Sequence, residues 1–453
     1  MKIRYHLAVI FSKLTYFLLR LLGRNASHTP GAVAMAICPK YLEIAPKAPV
    51  AICVTGTNGK TTVANMLTDA LLSLGRSAVS NRLGSNIVPG VTACVSNSLN
   101  IWGKCKVDCT VFEVDERASR LILPFIKPDY LIVTNIFRDS LKRNAHPDYI
   151  FGIINDYTPN TTKLILNADD LCSAMLRPEN KRVYYAIEEM KGDIIDSVNI
   201  VTDHSICPKC HSPLSYEYRR YHHIGRAHCP SCGFASPRAD YSAAVYPNEG
   251  IMCVTNMGES SDYPLVSDIV FNMYNEVAVI AALSQIGFGS EQIASAMEKA
   301  SIPDTRLKET VINGSSVIMA MSKGQSCISS CRTFDYVSSL PGDKMILLVL
   351  DDYYDRKNSV EFIGWIYDVD YEFLNKPDVV RVAALGPRCL DHRVRLLLAG
   401  IDDERIFCEK DELLGARELP LKGAQKIFVL YDTSTYDLAV KVAGVIENRL
   451  QNA

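Results

Sequence analysis

Val50-Ala-Ile-Cys-Val-Thr-Gly-Thr-Asn-Gly-Lys-Thr-Thr62 decides how the rest of the chain is read. Val50 to Val54 is a short apolar run suited to a buried strand, and apolar residues recur at helical spacing from Thr61 to Leu74. Between them lies Gly56-Thr-Asn-Gly-Lys-Thr61. A strand, a glycine turn and a helix N-terminus in that order cradle phosphate. Backbone N–H groups and the positive helix end face the anion, Lys60 adds a point charge, and the Thr61 hydroxyl can ligand Mg²⁺. The general P-loop pattern has its first glycine five residues before Gly59, where Val54 stands here. Two glycines alone would describe any tight turn. Followed by Lys-Thr-Thr after a buried strand, they read as a nucleotide loop in which Gly56, Thr57, Asn58, Gly59, Lys60, Thr61 and Thr62 meet the phosphates.

At 453 residues the chain has room for two or three domains. Its 48% hydrophobic and 22% charged residues suit a globular enzyme, and a net charge of −2 gives no reason to expect a nucleic-acid partner. Fifteen cysteines are many. Eleven are scattered, several within apolar runs, which fits reduced thiols in a cytoplasmic protein better than a disulfide framework. No apolar run is long and uncharged enough to span a membrane. The first 45 residues are apolar and basic: Arg4, Lys13, Arg20 and Arg24 punctuate Phe11, Tyr16, Phe17 and Leu18. Such an amphipathic helix can rest peripherally on the inner, anionic face of a membrane or pack on the first domain, and both readings stay open.

From Val50 the pattern alternates between short β-like and longer helical runs. Strands are expected at Val50–Val54, Ser77–Val79, Cys109–Val114, Tyr130–Thr134 and Lys163–Asn167, which argues a parallel sheet covered by helices. Ligands of such sheets collect beyond the carboxyl ends of the strands. There Cys109-Thr-Val-Phe-Glu-Val-Asp-Glu116 ends in three carboxylates, a natural seat for a hard cation beside a triphosphate. A break at Ser301-Ile-Pro-Asp-Thr-Arg-Leu307 opens a second, smaller α/β domain. Its strands are expected at Ser316–Ala320, Lys344–Leu350, Val379–Leu385, Arg405–Cys408 and Lys426–Tyr431, and it has no second phosphate loop.

Cys207-Pro-Lys-Cys210 and Cys229-Pro-Ser-Cys232 lie eighteen residues apart. Two such pairs at that spacing read as a closed tetrahedral Zn²⁺ site, structural because four thiolates leave no open position. His222, His223 and His228 are close in sequence but are not needed as ligands.

Gly-Thr-Asn-Gly-Lys-Thr is the form this loop takes in the Mur ligase superfamily, and the chain resembles its MurT-like branch from about Val50 to Asn452. Thr134-Asn-Ile-Phe-Arg-Asp139, Asn167-Ala-Asp-Asp170 and Phe271-Asn-Met-Tyr-Asn275 are similar to family stretches, although Ile269 stands where a glycine is usual. The four-cysteine insertion is what favours the MurT-like branch. The resemblance implies an α/β architecture: a basic segment over 1–45, and a P-loop Mur ligase central domain over 46–302 with a zinc ribbon inserted at 203–238. A MurT-type, Rossmann-like C-terminal domain follows over 303–453. It implies Glu113 as Mg²⁺ ligand, with Asp115 and Glu116 as alternatives. Asn275 would approach the adenine, with Asn272 second, and Arg306 would reach the nucleotide from the linker.

The C-terminal part departs from the family: Ser322-Lys-Gly-Gln325 replaces Asn-Pro-Ala-Gly. Gly364-Trp-Ile-Tyr-Asp368 aligns, but Phe362 occupies the place of an aspartate that orients a triad in a partner glutaminase. Glu361 and Asp355 are the nearby carboxylates. The implied activity is ATP-dependent amidation of the D-glutamate α-carboxylate of the lipid II stem peptide, a step of peptidoglycan synthesis. It would use ATP, Mg²⁺ and a structural Zn²⁺, with ammonia from a glutamine amidotransferase-like subunit. Two rivals are a Mur-type ligase that adds an amino acid directly and a silent nucleotide-binding scaffold.

Overall fold

The computed structural model describes residues 2–82, 85–138, 146–300, 307–322, 326–350 and 363–452. The chain forms two compact units. The first comprises Met1–Phe137, Pro147–Ser197 and Thr202–Ile302, and the second Arg138–His146, Val198–Val201 and Pro303–Ala453.

In the first unit the helices are α1 (Lys2–Leu21), α2 (Thr29–Ile37), α3 (Tyr41–Ile44), α4 (Lys60–Ser73), α5 (Val88–Ser98), α6 (Ser119–Ile126), α7 (Pro147–Tyr157), α8 (Leu171–Ala174), α9 (Val270–Ile286) and α10 (Ser290–Met297). The strands are β1 (Val50–Thr55), β2 (Ala78–Ser80), β3 (Cys109–Glu113), β4 (Tyr130–Val133), β5 (Lys163–Asn167), β6 (Arg182–Ile187), β7 (Ser215–Tyr221), β8 (Ile224–His228), β9 (Tyr241–Tyr246), β10 (Ile251–Asn256) and β11 (Glu259–Pro264). Nine of them form one sheet in the order β11-β10-β9-β6-β5-β4-β1-β3-β2, with β7 and β8 apart as a hairpin.

β2 through β6 and β1 run parallel, as the sequence led one to expect, and β9 joins β6 in parallel. The expectation of a purely parallel sheet needs correction, because β9, β10 and β11 form an antiparallel meander at one edge. These three strands are half-buried and carry Ser, Thr, Glu and Asp on their outer face, so they lack the continuous apolar runs that mark a sheet covered on both sides. β1, β3 and β5 have such runs, being buried at almost every position. The hydrophobic contribution of one such fully buried side chain, Ile52 for example, is about 1.5–3 kcal/mol.

The second unit holds β12 (Leu307–Ile312), β13 (Ser315–Met321), β14 (Lys344–Val349), β15 (Val379–Leu385), β16 (Ile406–Glu409) and β17 (Lys426–Tyr431), ordered β12-β13-β17-β14-β15-β16. Its helices are α11 (Cys327–Ser339), α12 (Gly364–Asp368), α13 (Cys389–Leu398), α14 (Glu412–Glu418) and α15 (Tyr436–Gln451). β13 to β17 are parallel, and their apolar faces pack with Val442 and Ile446 of α15. Asn313 and Gly314, at φ +47° and +81°, turn β12 back on β13, the residue pair that a two-residue hairpin favours.

Candidate functional site

After β1 the chain passes through α4 to the sheet edge at β2, returns to β3 on one side of β1, then crosses to β4 on the other. The crevice beyond the end of β1 is therefore the topological switch point, where doubly wound sheets take ligands. β1 leads straight into Gly56-Thr-Asn-Gly59, and α4 begins at Lys60. Gly59 caps the helix at φ +88°, a left-handed conformation that side chains resist. A Cβ there would lie 2.2 Å from Asn275 Oδ1 of α9, and one on Gly56 would lie 2.3 Å from Thr134 Oγ1. Both glycines are needed for space as well as for backbone freedom.

The loop is laced to the end of β4. Thr57 N–H donates to Asn135 O (2.8 Å), Asn58 N–H to Asn135 Oδ1 (3.0 Å), and Thr134 Oγ1 donates to Asn58 O (2.6 Å). Thr57 Oγ1 also accepts from Phe137 N–H (2.9 Å). These bonds fix the cradle at its rim and leave the N–H groups of the first α4 turn to a ligand.

Lys60 reaches back over the loop, donating to Gly56 O and pairing with Glu116 Oε1 at 2.9 Å. Burial works against its charge, but Glu116, then Glu113 and Asp115, hold the ammonium above its ordinary range. On Glu116 burial is the larger influence and pushes the carboxyl up, with Lys60 opposing it.

The register Val54↔Glu113 sets Glu113 level with the carboxyl end of β1. Its side chain accepts from Asn86 Nδ2 (3.0 Å), while Asn81 clamps its backbone, accepting from Glu113 N–H and donating to Glu113 O, each at 2.8 Å. Asp115 has a different position: it accepts from the N–H groups of Arg117 and Ala118 ahead of α6. Thr61 is exposed and Thr62 half-buried at the mouth of the cradle. Asn275 Nδ2 donates to Asn272 Oδ1 (3.4 Å), so the two asparagines sit together beside Gly59. Arg306, Glu361 and Asp355 lie outside the described residues, as do Lys323, Gly324 and Gln325.

Sequence reading missed Asn81, Asn86 and the lacing role of Asn135, because single polar residues in loops carry no periodic signal. The Asn167-Ala-Asp-Asp170 stretch turns out to brace the site from behind. Asn167 donates to Thr134 O (3.3 Å), and Asp170 accepts from Ile136 N–H (2.7 Å) and faces His223 Nε2 (3.2 Å). Asp169 accepts from the Tyr274 hydroxyl (2.7 Å), and Arg220 of β7 reaches both Tyr274 and Asp193. Burial beside His223 pushes His204 down to about 4.

Cys207, Cys210, Cys229 and Cys232 bring their sulfurs within 4.8 Å of one another at the base of the β7–β8 hairpin. Cys207–Cys232 and Cys210–Cys229 are 3.6 and 3.4 Å apart, too far for disulfides. They are near the separation of about 3.8 Å that tetrahedral Zn–S bonds of about 2.3 Å impose. Hydrogen bonds from Ser212 pull the Cys210 thiol down to about 6. The set is a four-sulfur cluster compact enough for one metal ion, and His222 and His223 are directed elsewhere, both packing on Phe137.

In the second unit Asp368, which ends the Gly-Trp-Ile-Tyr-Asp stretch, pairs with Arg138 of the Thr-Asn-Ile-Phe-Arg stretch at 3.4 Å. Trp365 is buried.

The family pattern of the Mur ligase middle domain matches residues 54–211, and that of the MurT ligase C-terminal domain matches 328–436. The lipid II isoglutaminyl synthase (glutamine-hydrolyzing) subunit MurT of Staphylococcus aureus strain COL is 26% identical over 407 residues, 89% of this chain and 90% of that protein. Its namesake in Streptococcus pneumoniae strain R6 is 24% identical over 415 residues, 90% and 89% of the two chains. Among solved structures, a pseudomurein peptide ligase type C from Methanothermus fervidus superposes with a TM-score of 0.68 at 19% identity, covering 91% of this chain and 81% of its own. Phosphate loop, strand-end carboxylate and sheet order thus belong to a ligase of the Mur ligase family. Within that family the chain is MurT-like in both units.

Proposed function

We propose that this chain is the ATP-dependent ligase subunit of a synthase that amidates the D-glutamate α-carboxylate of the lipid II stem peptide, giving D-isoglutamine. The observation that carries the reading is the extent of the likeness. Similarity to proteins named as MurT subunits runs through 407 residues and includes the MurT-type C-terminal pattern, not the phosphate loop alone.

A carboxylate does not react with ammonia, because oxide is too poor a leaving group. Transfer of the γ-phosphoryl of ATP makes an acyl phosphate, which ammonia attacks with phosphate leaving. Positioning and charge neutralisation supply most of the catalysis. The α4 N–H groups and Lys60 would hold the phosphates, Asn275 would border the base, and Arg306 would approach from the linker. The donor set fits Mg²⁺: Thr61 is exposed at the cradle mouth and Glu113 offers a buried carboxylate oriented by Asn86. When bound, the ion would neutralise triphosphate charge. Zn²⁺ on the four cysteines would staple the β7–β8 insertion.

Ammonia would come from a glutamine amidotransferase-like partner, with Glu361 or Asp355 offering it the orienting carboxylate. Phe362 at the family's aspartate position favours one second reading, a nucleotide-binding scaffold without turnover. The purified chain, co-expressed with a glutamine amidotransferase, should convert lipid II to its carboxamide with glutamine and ATP, read by mass spectrometry. Absence of product from the wild-type pair, with ATP still bound, would leave the scaffold.

A further inference from the structure

α1 is apolar on two opposite faces. Tyr5, Ala8, Val9 and Ser12 are buried against the first unit. On the other side Ile3, Leu7, Ile10, Leu14, Phe17 and Leu21, spaced alternately by four and three residues, are 43–78% exposed. Phe11 and Leu18 widen that face to a sector of roughly 120° at about 100° per residue. The inner stripe therefore explains how the helix is held and leaves the outer one without an occupant. Single exposed apolar residues are ordinary, but a contiguous face of this size marks an interaction surface.

Charge indicates the occupant. Lys2, Arg4, Lys13, Arg20, Arg24 and Lys40 fall within the first 42 residues, which contain no Asp or Glu. Helical spacing puts Lys2, Lys13 and Arg20 along one border of the apolar sector and Arg4 along the other. Lys13 is tied inward, donating to Ser96 O and Leu99 O, and the other three are exposed. A second copy of α1 would meet like charge at both borders, whereas an anionic surface meets opposite charge there.

A second element points the same way. The Leu99–Cys105 turn is pinned to α1 by the Tyr5 hydroxyl, which donates to Gly103 O at 2.9 Å, and by Lys13 on Leu99 O. At its tip Ile101 and Trp102 are 61% and 71% exposed, followed by exposed Lys104 and Lys106. Tryptophan with flanking lysines is the composition favoured at a bilayer interface. Among the described residues no helix is long and apolar enough to cross a membrane, so the contact would be one of lying on the surface.

We infer that the outer face of α1, with Ile101 and Trp102, is a docking surface for a bilayer of anionic phospholipid. This deepens the proposed function by holding the ligase at the membrane where a lipid-linked substrate resides, and it rests on that reading only for its purpose. Long basic side chains can reach headgroups while apolar ones enter the acyl boundary.

The test uses the purified full-length chain and vesicles without lipid II, one set of phosphatidylglycerol and phosphatidylethanolamine, the other of phosphatidylcholine. The chain should co-sediment with the anionic vesicles, less so as salt is raised. Trp102 is one of only two tryptophans and the other, Trp365, is buried, so emission should shift to the blue on binding. Ile3→Glu/Phe17→Glu should lower partitioning at least about tenfold with an unchanged circular dichroism spectrum. Trp102→Ala, outside the helix, should abolish the spectral shift and weaken binding several-fold. The inference is overturned if wild type stays in solution with anionic vesicles or if the double variant binds equally well. A wild-type dimer that the double variant dissolves would also overturn it, giving the face to a second copy. Amidation assayed in detergent is independent of these outcomes, so failure here and failure of the ligase reading are distinguishable.

Discussion

Lys60→Met should damage stability and turnover by separate routes, and the structure sets the size of the first. The substitution leaves the Glu116 carboxylate, 7% exposed, without its partner at 2.9 Å. Breaking a buried pair from one side costs about 3–5 kcal/mol. Protonation caps that cost: neutralising a carboxyl with an unfolded pKa of about 4.3 at pH 7 requires about 3.7 kcal/mol, and at pH 5 about 1 kcal/mol. In the variant the folded pKa of Glu116 is raised still further, so its contribution is fully present below the unfolded pKa and is lost as pH rises. The deficit relative to wild type must therefore grow from pH 5 to pH 7. At about 2–4 °C per kcal/mol, the melting temperature of the first unit should fall by roughly 10 °C at pH 7 and about 3 °C at pH 5. Lys60→Met/Glu116→Gln should recover at least about half of the pH 7 loss, since no charge stays buried. ATP-dependent turnover, in contrast, should drop at least about 100-fold in both variants. Thermal unfolding by circular dichroism at the two pH values is the assay. A Lys60→Met deficit that is absent, or equal at pH 5 and pH 7, would refute the ion-pair argument.

Three further outcomes are expected. Gly59→Ala forces a side chain into φ +88° and against Asn275 Oδ1, costing about 1–2 kcal/mol in backbone strain and displacing Asn275; calorimetry should show weakened ADP binding with the fold retained. Burial pushes Glu276 up to about 8, with Val266 N–H opposing. Because that folded value is raised, Glu276 weakens the fold as pH rises from ordinary carboxylate values toward 8, so Glu276→Gln should add about 2 kcal/mol at pH 7.5 and nothing near pH 4, read from urea midpoints. Cys207→Ser should reduce bound zinc from one ion per chain to none by elemental analysis and open residues 203–238 to protease; zinc content equal to wild type would remove the cysteine cluster as its seat.

Much of the site was legible because it is written in local order. A phosphate loop needs its glycines, lysine and hydroxyl within a few residues, and Gly56 to Thr62 supply them next to an apolar strand and a periodic helix. Two Cys-x-x-Cys pairs at a fixed interval likewise need no long-range information. Strand ends moved by only a residue, as in β2 at Ala78–Ser80 where Ser77–Val79 was expected. The antiparallel meander of β9 to β11 was not foreseen, since its half-buried strands have polar outer faces and no helix between them.

The sequence alone determined the class of fold, the strand–glycine turn–helix order around Gly56 to Thr62 and the four-sulfur cluster, because these follow from periodicity and spacing along the chain. Tertiary structure decided which carboxylate meets Lys60, which asparagines orient Glu113, and that Asn275 closes over Gly59. It also showed that one face of the N-terminal helix is packed on the first unit and the other is exposed. The physical reason is register. Val54 pairs with Glu113 across two strands some sixty residues apart, and no local pattern encodes how far one strand slides along another.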